Sequence, residues 1–259
     1  MSDFDKDTLA ALDSIDKVNP FATYLEDSTL SRVGGWIDTG SYVLNAIVSG
    51  SIHGGIPKGR VTMLGGESMT GKTLFVLKIL ANAQKEGLIP VIFDTENAVD
   101  PEGAARIGLD ISKVKYVPCV TIEQTRNALY KFLTSVKEKG LEGKFIVAID
   151  SLGNLQSELE HSRMGKESTA SDMGSKARAM KSLMQTCTNL GATTQTTILC
   201  TNHVYDDPAA MFPSIEKHMP GGKSIVYLPS VTVQLARKPM KSDGGKTMDA
   251  ETAVGQKNY

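Results

Sequence analysis

The chain has 259 residues, 41% of them hydrophobic, and 28 Lys and Arg against 29 Asp and Glu give a formal charge of -1. That is material for one sizeable core with appendages, and the balanced charge excludes a bulk basic field for nucleic acid, so any DNA contact must be local. A charged N-terminus excludes a secretory leader, and the lack of an uninterrupted apolar run of roughly 20 residues argues against a membrane-spanning helix, which predicts a soluble cytoplasmic protein.

In chain order, a helix is expected over residues 5–17, where Leu9, Leu12 and Ile15 fall near one face before Asn19-Pro20 breaks it. Residues 1–36 read as an N-terminal helix and linker that serves as an oligomerisation segment, and residues 37–259 as the core. Ser41 caps a helix over 42–49, and Gly54-Gly55-Ile56-Pro57-Lys58-Gly59 turns the chain into the first core strand. Strands are expected over 60–65, 90–94, 115–118, 144–150, 196–201 and 231–237. Helical patterns at 72–86, 101–107, 122–139 and 172–190 lie between them. The alternation predicts an α/β fold, a mostly parallel twisted sheet with helices on both faces and ligands at the carboxyl ends of the strands. On the last long helix Met173, Ala177, Met180, Met184 and Cys187 recur at steps of four and three, a core-facing stripe. Cys119, Cys187 and Cys200 have no metal-ligand spacing and read as buried thiols of a reducing compartment.

Gly66-Glu67-Ser68-Met69-Thr70-Gly71-Lys72-Thr73 spells a phosphate-binding loop between an apolar run and a helical one. In that setting the glycines let backbone N–H groups close on phosphates at a helix N-terminus, Lys72 reaches the β- and γ-phosphates, and the Thr73 hydroxyl ligates Mg²⁺. Phe145-Ile146-Val147-Ala148-Ile149-Asp150 is a buried strand ending in a carboxylate suited to the same Mg²⁺. Glu96, just past Phe93-Asp94-Thr95, stands at the same edge as a general base for a water attacking the γ-phosphate. His203 ends another strand; from spacing alone, a locally satisfied histidine is favoured over a γ-phosphate sensor. Two long connections leave this edge: 153–171, with His161, Arg163 and Lys166, and 204–222, with Met211, Phe212, Lys217 and His218 before Gly221-Gly222-Lys223. Basic side chains with apolar tips suit single-stranded nucleic acid, and a loop ordered by a protein neighbour is the alternative.

The ordered series of these motifs resembles the RecA-type recombinases, most closely the UvsX-like recombinases of large tailed phages, over residues 37–238. It is carried by Asp38-Thr39-Gly40-Ser41, the phosphate loop, Phe93-Asp94-Thr95-Glu96 with Asp100-Pro101, Ile149-Asp150-Ser151, Ser171-Asp172-Met173, Thr201-Asn202-His203 and Gly221-Gly222. The resemblance implies a RecA-like P-loop core and a DNA-dependent ATPase. Such a protein forms a homo-oligomeric filament on single-stranded DNA and promotes pairing and strand exchange with homologous duplex DNA. ATP and Mg²⁺ are the implied cofactors, single-strand-binding and mediator proteins are further partners, and a phage-encoded member would work in the bacterial host cytoplasm. It implies Lys72, Thr73 and Asp150 at ATP and Mg²⁺, Glu96 as the base, His203 as the nucleotide sensor and Asp100 at the adenine. It also implies DNA contacts from Met173, Lys176 and Arg178, and from Arg163, Lys166, Met211, Phe212, Lys217, Gly221 and Gly222 on the two long connections.

Gly103 stands where bacterial members carry a base-stacking tyrosine, and the chain stops at Tyr259, soon after a hairpin turn expected at Asp243-Gly244-Gly245. The core therefore reads as truncated at its C-terminal end. The competing readings are another RecA-fold motor, helicase-like, and an ATP-gated DNA-binding module without hydrolysis.

Overall fold

A computed structural model of the chain describes residues 5–19, 21–28, 30–163, 173–205, 218–236, 240–241 and 247–248. Its elements run α1 (Lys6–Asp16), β1 (Trp36–Ile37), α2 (Tyr42–Ser49), β2 (Ile56–Pro57), β3 (Val61–Gly66), α3 (Lys72–Lys85), β4 (Ile89–Asp94), α4 (Pro101–Arg106) and β5 (Lys115–Pro118). They continue with α5 (Ile122–Glu138), β6 (Phe145–Asp150), α6 (Glu158–Ser162), α7 (Met173–Thr193), β7 (Thr197–Asn202), α8 (Ser224–Tyr227), β8 (Val231–Leu235), β9 (Met240–Lys241) and β10 (Thr247–Met248).

Six strands form one sheet in the order β5-β4-β6-β7-β3-β8, and every pairing within it is parallel. The alternating pleat sorts the strand side chains into two cores. Val61, Met63, Val91, Phe93, Val147, Ile149, Ile198 and Cys200 face α5 and α7, where Leu129, Leu133, Met180, Leu183, Met184 and Cys187 pack. Leu64, Ile92, Ile146, Ala148 and Leu199 face α3, which supplies Val76, Leu77, Ile79, Leu80 and Ala83. The parallel α/β architecture and the methionine stripe on α7 agree with the sequence reading at Met180, Met184 and Cys187. The side chain of Met173 lies outside the description. All three cysteines are buried and free.

Three details add to the expected organisation. Trp36 pairs with Pro57 and Ile37 with Ile56, so the core's first pairing begins one residue before the expected boundary at 37. Within the polar connection 153–171, residues Glu158–Ser162 form α6, closed by a capping box in which Ser157 and Glu160 bond each other's main chain. Finally, α1 buries none of its residues; Leu9, Leu12 and Ile15 remain exposed. The expected turn at Asp243-Gly244-Gly245 lies outside the described residues, between β9 and β10, which pair antiparallel.

Candidate active site

The sheet order brings the carboxyl ends of β4, β6, β7 and β3 side by side. Asp94 on β4 stands opposite Asp150 on β6, and Gly65 on β3 opposite Asn202 on β7. Residues far apart in sequence thus reach one edge. A cleft of about 190 Å³ opens there, lined by Ser68, Met69, Gly71, Lys72, Thr73, Leu74, Glu96, Asp150 and His203.

The phosphate loop is held as a loop by its own lysine. Lys72 Nζ donates to Gly66 O at 2.9 Å and Glu67 O at 2.7 Å, and Thr70 Oγ1 donates to Glu67 O at 2.9 Å. Helices α1, α2, α4, α5 and α6 each begin at an Asp, Ser or Thr whose side chain accepts a first-turn N–H. By contrast α3 begins at Gly71, φ 87°, with no side-chain cap. Only glycine takes that conformation without strain, and the first-turn N–H groups of α3 therefore face the cleft without a side-chain acceptor, as an anion site requires. Lys72 is 7% exposed; burial lowers its pKa, and Asp150 and Glu96 partly offset that.

A buried carboxylate, Asp150, stands next to the loop. Thr73 Oγ1 donates to Asp150 Oδ2 at 2.7 Å, and Thr201 Oγ1 donates to Asp150 Oδ1. Burial raises the Asp150 pKa, the Thr201 and Thr73 hydroxyls pull it back, and the charges of Glu96 and Asp94 raise it further. Among the described residues no cluster of three or more His, Cys, Asp or Glu gathers for a metal. One carboxylate and one hydroxyl beside an anion cradle suit Mg²⁺, which keeps waters and phosphate oxygens for its other positions. Both ATP and Mg²⁺ fit the residues present.

Glu96 lies across the cleft, its main-chain N–H donating to Asp94 Oδ1 at 2.9 Å. Its Oε1 accepts from Ser151 Oγ at 2.6 Å and faces His203 Nε2 at 3.1 Å. The side chains of His203 and Glu96 are 22% and 29% exposed, open enough to meet a ligand. His203 also heads the second long connection. Asn202 Nδ2 donates to Pro220 O at 3.0 Å, and Tyr205 and His218 exchange two main-chain bonds of 2.9 Å, closing the base of that connection.

The remaining expected residues fall elsewhere. Asp100 does not line the cleft; it caps α4 through the N–H groups of Glu102 and Gly103 and pairs with Arg106 at 3.6 Å. Arg163 caps the end of α6. Lys176, on the first turn of α7, is 3.6 Å from Glu160, and exposed Arg178 bonds Gly174 O at 3.2 Å. Gly221 and Gly222 have φ 107° and 83° and lie over α7, where a Cβ on Gly221 would come within 3.2 Å of Met180 Cγ. Lys166, Met211, Phe212 and Lys217 lie outside the described residues. Sequence reasoning gave no role to Thr95, Ser151, Thr201 or Tyr116, whose hydroxyl donates to Asp94 at 3.1 Å. The available signal was that Thr95, Ser151 and Thr201 are hydroxyl residues at the tips of apolar strands.

Comparison with known proteins follows the same outline. Residues 10–257 match the RecA N-terminal domain family. Protein RecA of Chlorobium chlorochromatii is 33% identical over 220 residues, covering 84% of this chain and 58% of that protein. Protein RecA of Chlorobaculum parvum is 32% identical over 231 residues, 88% of this chain and 62% of its own length. Protein RecA of Frankia alni is 33% identical over 218 residues, 84% and 59%. The chain thus spans 58–62% of the length of these curated relatives.

Proposed function

The chain belongs to the RecA N-terminal domain family, and from that premise we propose that it is a DNA-dependent ATPase of the recombinase kind, binding single-stranded DNA as a filament and promoting homologous pairing. The observation that carries the reading is the convergence in one cleft of the phosphate loop, the Thr73–Asp150 pair at 2.7 Å and Glu96. A family likeness alone would be consistent with many activities; these side chains are those that phosphoryl transfer to water requires.

In this mechanism the first-turn N–H groups of α3 and the Lys72 ammonium hold the triphosphate. Thr73 and Asp150 would hold Mg²⁺, which would supply positive charge to the transferring phosphoryl group. Glu96 orients the attacking water and takes its proton. His203 reports the γ-phosphate to the connection it heads, since a bond formed only with the triphosphate biases one conformation of that segment. DNA contacts come from Arg178 and Lys176 on α7 together with the two long connections. The UvsX-like subtype is part of the proposal, supported by the motif series; Gly103, where bacterial members carry a tyrosine, leaves base stacking to another residue.

The test is ATP hydrolysis by this chain with no DNA, with single-stranded DNA and with duplex DNA, beside Lys72→Ala. Stimulation by single strands that is lost in the variant is expected. Tight binding of ATP and DNA without turnover would replace the proposal with an ATP-gated binding module.

A further inference from the structure

Glu96 lies just past its strand on a segment with no regular structure, and a glutamate there loses rotamer freedom when it is ordered. Its main chain and side chain are ordered by different neighbours. Asp94, buried at its own strand tip and held by the Tyr116 hydroxyl, fixes the Glu96 N–H. Ser151, fully buried, sends its hydroxyl to Glu96 Oε1 at 2.6 Å. Ser151 is itself anchored independently of that hydroxyl: its N–H donates to Thr95 Oγ1 at 2.9 Å, and Thr95 Oγ1 donates to Ser151 O at 2.8 Å. The Thr95 N–H donates in turn to Asp150 O at 2.9 Å, tying the tips of β4 and β6 together.

We propose that Ser151 is a positioning residue for the Glu96 carboxylate, fixing through Oε1 the rotamer in which Oε2 takes the proton of the attacking water. This rests on the reading of Glu96 as general base. The two partners of Oε1 have different standing. His203 is partly exposed and heads a long connection, so a ligand can draw it away; Ser151 is sealed between two strand tips and stays. With Oε1 held, Oε2 has no protein donor among the described residues and is the oxygen turned to solvent-borne chemistry. As the water oxygen bonds to the γ-phosphorus, the bridging P–O bond breaks with its electron pair leaving on ADP, and the water proton passes to Oε2.

Ser151→Ala deletes the hydroxyl alone, because both Thr95 bonds use the Ser151 main chain. The kcat of single-strand-stimulated ATP hydrolysis is expected to fall on the order of tenfold, with KM within about twofold, since the step affected is proton transfer and not binding. Ser151→Thr keeps a hydroxyl and recovers kcat. A second readout needs no turnover: the chain has 4 histidines, so the His203 ring nitrogens are assignable by heteronuclear NMR through His203→Gln. Ser151→Ala is expected to move the His203 Nε2 resonance, because both residues share Glu96 Oε1, and to leave the other three histidines in place. An unchanged kcat, or an unmoved His203 resonance, overturns the proposal. If the parent chain itself fails to hydrolyse ATP, the hydrolytic reading falls and the resonance alone decides whether Ser151 holds Glu96.

Discussion

Lys72, Glu96 and Asp150 share one cleft but answer to different physics. Lys72 is the buried cation of the loop, and Lys72→Ala is expected to reduce ATP turnover on the order of 10²–10³-fold, because charge developing on the phosphate loses its preorganised donor. Glu96→Gln keeps shape and hydrogen bonding but cannot take a proton; turnover should fall roughly 10²–10⁴-fold while ATP affinity stays within about threefold, and equal turnover in variant and parent would remove Glu96 from the mechanism. Asp150 bears on stability as well as chemistry. Burial is the largest influence on its carboxyl and raises its pKa above the ordinary value, so the folded state holds that proton more tightly than the unfolded state does. The resulting cost to stability is absent below the unfolded pKa and grows as pH rises through the folded one. Asp150→Asn is therefore expected to raise Tm, without Mg²⁺, at about pH 7, with the gain shrinking toward about pH 4. A variant less stable than the parent at neutral pH would show that the Thr73 and Thr201 bonds outweigh desolvation. The same substitution should abolish Mg²⁺-dependent nucleotide binding.

Each element in the chain was visible in sequence to the extent that its burial imposed a pattern. The strands β3, β4, β6 and β7 are buried on both faces and read as continuous apolar runs. The helices α5 and α7 carry apolar residues at helical spacing because they pack against the sheet and each other. Leu183 is fully buried in that layer, and Leu183→Ala should cost about 2–5 kcal/mol by urea denaturation, through lost transfer free energy and the cavity left behind. A cost under about 1 kcal/mol would mean that the layer collapses to fill the space. The short α6 was not legible from periodicity, since Glu158–Ser162 buries no residue; its signal was the Ser157-x-x-Glu160 spacing of a capping box. The unburied face of α1 gives the opposite case, a helix whose pattern is clear but which buries none of its residues. Deleting it is expected to change the Tm of the core by less than about 2 °C while removing self-association, as light scattering would report; an unfolded core would sink the idea of a separate oligomerisation segment.

For the whole molecule, a net charge of -1 leaves no global field to recruit DNA, so the DNA binding proposed for it must come from a few local cations. One phosphate contact fewer on a single strand lowers the salt slope by about 0.7. Arg178→Ala is expected to produce a change of that size and to weaken binding alike across sequences. An unchanged slope would take Arg178 off the phosphate backbone.

The phosphate loop, the buried strands and the order of the helices were determined by the sequence itself, because each rests on local rules: glycine where φ is positive, apolar runs where both faces are covered, a helix after the loop. Strand order was not local. Which tip lies beside which depends on pairing between segments tens of residues apart, and that pairing brings Asp150 to Thr73, Thr201 to Asp150, and Ser151 and His203 to the same oxygen of Glu96. A hydroxyl at a strand tip has no pattern of its own to announce a role. It acquires one only from the neighbour that the parallel sheet sets opposite it.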